Sequence, residues 1–159
     1  MKVSLMAIGK TDDDYIKKGF DIYSKRLSHY IQFDFKILAD IKNVKNLSTE
    51  MQCEKEGILI INQISADDVV ILLDEKGKEF SSIEFSKYIE KKMVSGIRNL
   101  IFVIGGPFGF SEKVVNHKNT IDKISLSKMT FSHQMVRLIF VEQLYRTFTI
   151  LKGEPYHHQ

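Results

Sequence analysis

The chain has one cysteine, two prolines and no uninterrupted apolar stretch long enough to span a bilayer. A lone Cys53 excludes an internal disulfide and a cysteine-based zinc site, so nothing calls for an oxidising compartment. Without about 18 consecutive apolar residues there is no candidate transmembrane helix. The apolar start, Val3 to Ile8, is too short for a signal sequence and runs straight into Gly9-Lys10-Thr11-Asp12-Asp13-Asp14. The expected location is the cytoplasm. Several catalytic signatures are missing too. Only Gly9 follows the first apolar run, so the dinucleotide fingerprint is absent, as is the Walker A pattern. No G-x-S-x-G marks a serine nucleophile. His117 and His133 have no acidic or histidine neighbour at helical spacing, and His157-His158 are merely adjacent, so no metal site is expected.

What is present is ordinary in bulk and uneven in detail. The 159 residues are 43% hydrophobic and 27% charged, enough for one domain over 1–159 with a real core. The net charge is +3; residues 1–109 carry 16 Lys/Arg against 16 Asp/Glu, and residues 110–159 carry 7 against 4. Four of the five histidines share that last third. A cationic, titratable end suits an anionic partner such as nucleic acid, although a three-charge excess also arises by chance.

The pattern reads as alternating strands and helices. Strands are expected at Lys2–Ile8, Phe33–Leu38, Val69–Leu73, Leu100–Ile104 and Ile121–Ser127. Helices are expected from an Asp12 cap to Leu27, from a Ser48 cap to Ile64, from a Ser81 cap to Val94, and briefly from Ser111. Asp74 to Lys78 reads as a polar turn. The runs Val69–Leu73 and Leu100–Ile104 are apolar throughout, the mark of strands covered on both faces. The fold class is therefore α/β, a mostly parallel sheet with helices on both faces.

Ligands in such sheets bind beyond the carboxyl ends of the strands. Three ends stand out: Leu73-Asp74, Ile104-Gly105-Gly106-Pro107, and Leu126-Ser127-Lys128-Met129-Thr130-Phe131. After Ser132 comes a long helix free of Pro and Gly until Gly153. Its apolar arc contains Leu138, Phe140, Val141, Leu144, Tyr145, Phe148 and Leu151, with Arg137 in the middle. Ile139 and Ile150 lie on the opposite side, as on a helix buried twice. An arginine on an apolar face needs a carboxylate, a ring of carbonyls or an anionic ligand.

Taken together, Leu72-Leu73-Asp74, Ile104-Gly105-Gly106-Pro107, the run Leu126 to Arg137, Glu142-Gln143-Leu144-Tyr145-Arg146 and the terminal Pro155-Tyr156-His157-His158 resemble the ribosomal RNA large subunit methyltransferase H family. This is a group of small SPOUT methyltransferases, and the resemblance spans the whole chain. It implies a homodimer with a C-terminal trefoil knot that uses S-adenosyl-L-methionine to methylate N3 of a pseudouridine in 23S rRNA within the ribosome. It places cofactor contacts at Leu73, at Gly105 and along Leu126, Ser127, Lys128, Met129, Thr130 and Phe131. Arg137 is then a candidate catalytic cation, and Tyr156 and His157 close over the base, with His157 as proton acceptor. Lys113, Lys118, Lys123 and Arg146 are candidate phosphate contacts, or simply solvated charges. The sequence departs from the family pattern at Ser132, where proline is common, and at Phe108 and Phe110, where Glu and Leu are usual. Those departures bear on the turn into the long helix and on the pocket rim. Two other readings remain open: a SPOUT enzyme for another rRNA or tRNA base, and a non-catalytic ribosome-binding factor.

Overall fold

A computed structural model describes residues 1–157. Strands β1 (Lys2–Ile8), β2 (Gln32–Leu38), β3 (Asp68–Glu79), β4 (Asn99–Ile104) and β5 (Thr120–Ser125) form one sheet in the order β2-β1-β4-β3-β5. Every pairing is parallel. Between the strands run helices α1 (Asp14–Leu27), α2 (Thr49–Ile61), α3 (Ser82–Val94) and α4 (Glu112–Val115), and α5 (His133–Leu151) closes the chain.

Alternation along the central strands explains their unbroken apolar runs. Val3, Leu5, Ile71, Leu100 and Phe102 point into one core, shared with Phe20 and Leu27 of α1, Phe85 and Ile89 of α3, and Phe140, Val141 and Leu144 of α5. Met6, Val70, Leu72, Ile101 and Val103 point the other way, against Ile60 of α2 and Val114 of α4. Both sheet faces are covered, so the runs Val69–Leu73 of β3 and Leu100–Ile104 of β4 are apolar on both sides.

Helix starts follow the sequence closely in two cases. Ser48 accepts from the Met51 N–H at 3.2 Å, and Ser81 with Glu84 forms a reciprocal capping box. At α1 the cap is Asp13 rather than Asp12, and its side chain makes no cap bond; the Asp12 and Asp13 N–H groups donate instead to Gln134 Oε1. A long-range partner here replaced a local one. Helix α2 ends at Ile61, three residues short of the expected Ile64, because Asn62 N–H and the next two amides turn back onto the last carbonyls. Strand β5 stops at Ser125, leaving Leu126 and Ser127 to the following loop.

The larger difference is at Asp74–Lys78, where a polar turn is expected and β3 instead continues to Glu79. Its pairing with β5 slips between Leu73 and Lys78, so the segment bulges and then rejoins Ile124 and Ser125. Gly77 makes this possible: a Cβ placed there would lie 2.6 Å from the backbone N and C of Ile124. The backbone angle at Gly77 is ordinary, so contact alone demands glycine. No helix among the described residues is long and apolar enough to cross a membrane.

Gly77→Ala therefore forces β3 and β5 apart and destabilises the fold by about 1–3 kcal/mol. Urea denaturation checks this; an unchanged midpoint would refute the close approach.

Candidate active site

The carboxyl ends of β3, β4 and β5 open onto one pocket of about 400 Å³. That is within the usual range for a small-molecule site. Its walls come from four stretches: Leu73–Lys76, Ile104–Phe110, Ile124–Phe131 in part, and His133 with Val136 at the start of α5. Of the expected cofactor contacts, Leu73, Gly105, Leu126, Ser127, Met129, Thr130 and Phe131 all line it. Lys128 does not, and its ammonium lies 3.8 Å from Glu79 Oε2 on the outside. Asp74, expected as part of the Leu73-Asp74 strand end, lines the pocket, and so do Glu75, Lys76, His133 and Val136, which were not among the expected site residues. Their signal was proximity to the three loops.

Local hydrogen bonds hold these loops in shape. Asp74 Oδ1 accepts from the Lys76 N–H at 2.9 Å, closing the bulge as an Asx turn. Ser125 Oγ donates to the Ser127 carbonyl at 2.8 Å, and Ser127 Oγ accepts from the Met129 N–H at 3.0 Å. Thr130 Oγ1 donates to Glu75 Oε2 at 2.8 Å, tying the last loop to the bulge across the pocket mouth. Ser132, where the family commonly has proline, caps α5 by accepting the Met135 N–H at 3.2 Å. Phe110 packs into the second core, whereas Phe108 is 54% exposed at the rim and Met129 is 73% exposed. The result is an apolar floor of Leu73, Ile104, Ile124, Leu126 and Val136 beneath a mouth carrying Asp74 and Glu75. It suits a flat heterocycle below and a cationic group above.

Arg137 is buried to 1% exposure and is not among the pocket-lining residues. Its guanidinium donates to the carbonyls of Ile8 and Gly9 at 2.7 and 2.9 Å, and to Thr11 Oγ1 at 2.7 Å. A ring of carbonyls is thus one of the three partners an apolar-face arginine can have, and it ties the end of β1 to the first turns of α5. Its Nε is buried with no partner. Burial pulls its pKa down, opposed by the charges of Asp40 and Asp12.

Tyr156 and His157 lie elsewhere. Tyr156 donates to Glu142 Oε1 at 2.9 Å and lies 3.3 Å from Tyr23 Oη, with Arg146 at 4.7 Å over its ring. Burial, then Tyr23 and Glu142, push its pKa upward. His157 Nδ1 is 3.4 Å from an Arg146 amino group. Arg146, one of the candidate phosphate contacts, is thereby engaged with Glu142 and the tail. Arg146 is thirteen residues along α5 from His133, which at 1.5 Å per residue is on the order of 20 Å. Within the chain the structure brings the three loops together and leaves the tail against the middle and far end of α5. His158 lies outside the described residues.

A family model described as "Predicted SPOUT methyltransferase" matches residues 1–157. The chain is 64% identical to the ribosomal RNA large subunit methyltransferase H of Flavobacterium psychrophilum, over the full length of both. It is 61% identical to the protein of that name from Flavobacterium johnsoniae and 57% identical to that of Parabacteroides distasonis, again over full lengths.

Two outcomes test the geometry of this region. Arg137→Met leaves the buried Ile8 and Gly9 carbonyls without donors and lowers stability by about 1–3 kcal/mol in chemical denaturation. His133 is held below its ordinary 6.5 by burial and then by the charge of Arg137. With the folded pKa depressed, the unfolded chain binds more protons, so this contribution is present above 6.5 and is lost as the pH falls below it. Melting temperature should therefore drop between about pH 7.5 and about pH 5.5, and drop less in His133→Gln.

Proposed function

The chain belongs to the SPOUT methyltransferase family, within its ribosomal RNA large subunit methyltransferase H group, and we propose that it methylates N3 of a pseudouridine in 23S rRNA on the assembled ribosome. The methyl donor is S-adenosyl-L-methionine. The whole chain, 1–159, works as one knotted domain in a cytoplasmic homodimer.

The observation that carries the proposal is the convergence of three separately positioned strand ends on one pocket. The pocket fits the donor. Leu73, Ile104 and Leu126 offer apolar surface to the adenine, the Gly105-Gly106 backbone leaves room for close approach, and Asp74 and Glu75 supply negative charge to a sulfonium and an ammonium. Bound there, the donor presents an electrophilic methyl group for in-line displacement.

The protein's share is placement and proton handling. The pseudouridine N3–H is a poor nucleophile until its proton leaves. His157 accepts that proton as the N3–methyl bond forms, and Tyr156 packs the base against the tail. Arg137 is the buried cation behind the pocket wall and does not touch the base. With three N–H groups already given to Ile8, Gly9 and Thr11, it acts as a fixed charge beneath the start of α5, offsetting charge that builds on the flanking carbonyls. Because the tail is anchored to Glu142 and Arg146, it completes the pocket of a second subunit, and the partly apolar back of α5, with Ile139 and Ile150, is the dimer face.

Mass mapping of 23S rRNA from a deletion strain, with and without the restored chain, is the primary test: an unmodified N3 that regains its methyl group supports the assignment, and an unaffected site sinks it. Arg137→Ala and His157→Ala should each slow methyl transfer by about 10²-fold or more. Wild-type turnover in both overturns their roles. Mixing a tail-deficient His157→Ala subunit with a pocket-filled Gly105→Leu subunit should restore activity in mixed dimers; no recovery would place tail and pocket in one subunit.

A further inference from the structure

Gly106 is a glycine without a backbone reason. Its φ is not in the left-handed region, which among the described glycines is occupied by Gly9, Gly96, Gly109 and Gly153. The reason is a side chain from another element. A Cβ on Gly106 would lie 2.1 Å from Glu56 Oε2 and 2.5 Å from its carboxyl carbon. Glu56 sits on α2, is 2% exposed, and is pressed directly beneath the glycine loop. Its Oε1 accepts from Gln52 Nε2 at 2.9 Å, while Oε2 is buried with no partner.

The next residue repeats the arrangement in reverse. Gly57, in the middle of α2, carries a helix-propensity penalty of about 1 kcal/mol relative to alanine. A Cβ there would meet Ser111 Oγ at 2.3 Å. Glu56 of the helix thus fills the space above Gly106 of the loop, and Ser111 at the end of the loop fills the space above Gly57 of the helix. Cys53 Sγ adds a contact to the Phe108 carbonyl at 3.5 Å, and Lys113 pairs with Glu54. Four contacts, from Cys53, Glu54, Glu56 and Gly57, fix the segment from Gly106 to Lys113 to one stretch of α2 on the side away from the pocket.

We propose that Glu56 is the positioning residue that sets the height of the Gly105-Gly106 backbone at the methyl-donor pocket. A carboxylate with an orphan oxygen and no cation among its hydrogen-bonding partners is costly to bury, and burial pushes its pKa up, with Asp40 adding to that push and Gln52 opposing it. Buried and held at one oxygen by Gln52, it is a wedge of fixed shape. Glu56 does not touch the donor and acts through the loop. The inference rests on reading the pocket as the donor site, and its test is arranged so that the two can fail separately.

The experiment uses the full-length chain and two readouts: calorimetric titration with S-adenosyl-L-methionine, and amide hydrogen exchange across Gly106–Phe110. Glu56→Ala should weaken donor binding about tenfold or more and speed exchange in that loop. Glu56→Gln, which keeps the shape of the side chain, should recover most of both. Gly106→Ala should weaken binding through collision with Glu56, and the double variant Gly106→Ala with Glu56→Ala should bind better than Gly106→Ala alone. If Glu56→Ala binds and exchanges as the wild type does, or the double variant gains nothing over Gly106→Ala, the proposal is overturned. If the wild type itself does not bind the donor, the functional reading fails, and loop exchange together with melting of the double variant still decides for or against the wedge. A loss confined to global melting temperature, with no change in exchange specific to the loop, also counts against it.

Discussion

The carboxyl edge of this sheet is organised around one buried cation. Arg137 leaves α5 near its start and grips the last carbonyls of β1, Ile8 and Gly9, together with the Thr11 hydroxyl. Parallel strands end in carbonyls that the ladder cannot use, and a guanidinium meets several at once in a fixed fork. That contact brings α5 across the sheet with its first turn beside the pocket, so His133 and Val136 become walls. It works with the Gln134 bonds to Asp12 and Asp13 to fix the end of the loop from Leu126 to Ser132. An ammonium in the same place would lack the fork.

The pocket is held from two further directions. On one side Gly77 lets β3 touch β5 backbone to backbone, so the Asp74–Lys76 bulge stands over the mouth instead of drifting as a free turn. On the other, α2 interlocks with the glycine loop. The three loops carry little regular structure of their own, yet each is fixed by a residue distant in sequence. Such preorganisation matters for a methyl transfer, where the protein's contribution is to place two reactants in line.

Much of this was legible beforehand, and the failures share a cause. The five strands, the parallel sheet and the long helix follow from apolar periodicity and from Ser48 and Ser81 as caps, all local signals. The three strand ends at Leu73, Gly105 and Leu126 follow from the general behaviour of open α/β sheets. What was missed depends on partners far along the chain. Asp12 looks like a cap until Gln134 takes its N–H. Asp74–Lys78 looks like a turn until Gly77 meets Ile124. Glu56 carries no local signal of its burial, which comes from Gly106 lying on it. Lys128, inside an otherwise pocket-facing loop, turns outward to Glu79, and no periodic pattern exists in a loop to signal it.

The tail places a constraint on how the molecule can work. Tyr156 is fastened by Glu142, Tyr23 and the face of Arg146, and its ring meets Tyr145 edge-on. Those contacts are to α1 and to the middle and far end of α5, so swinging the tail to its own pocket would break them all and still leave about 14 to 20 Å of α5 to cross. Keeping them and supplying the pocket from a neighbouring subunit breaks none. If one subunit supplies the donor pocket and another the tail, catalysis depends on association, and a folded monomer is inactive even with donor bound. Turnover per chain should then fall on dilution through the dimer dissociation range while donor affinity stays constant, a separation that a self-sufficient subunit cannot show.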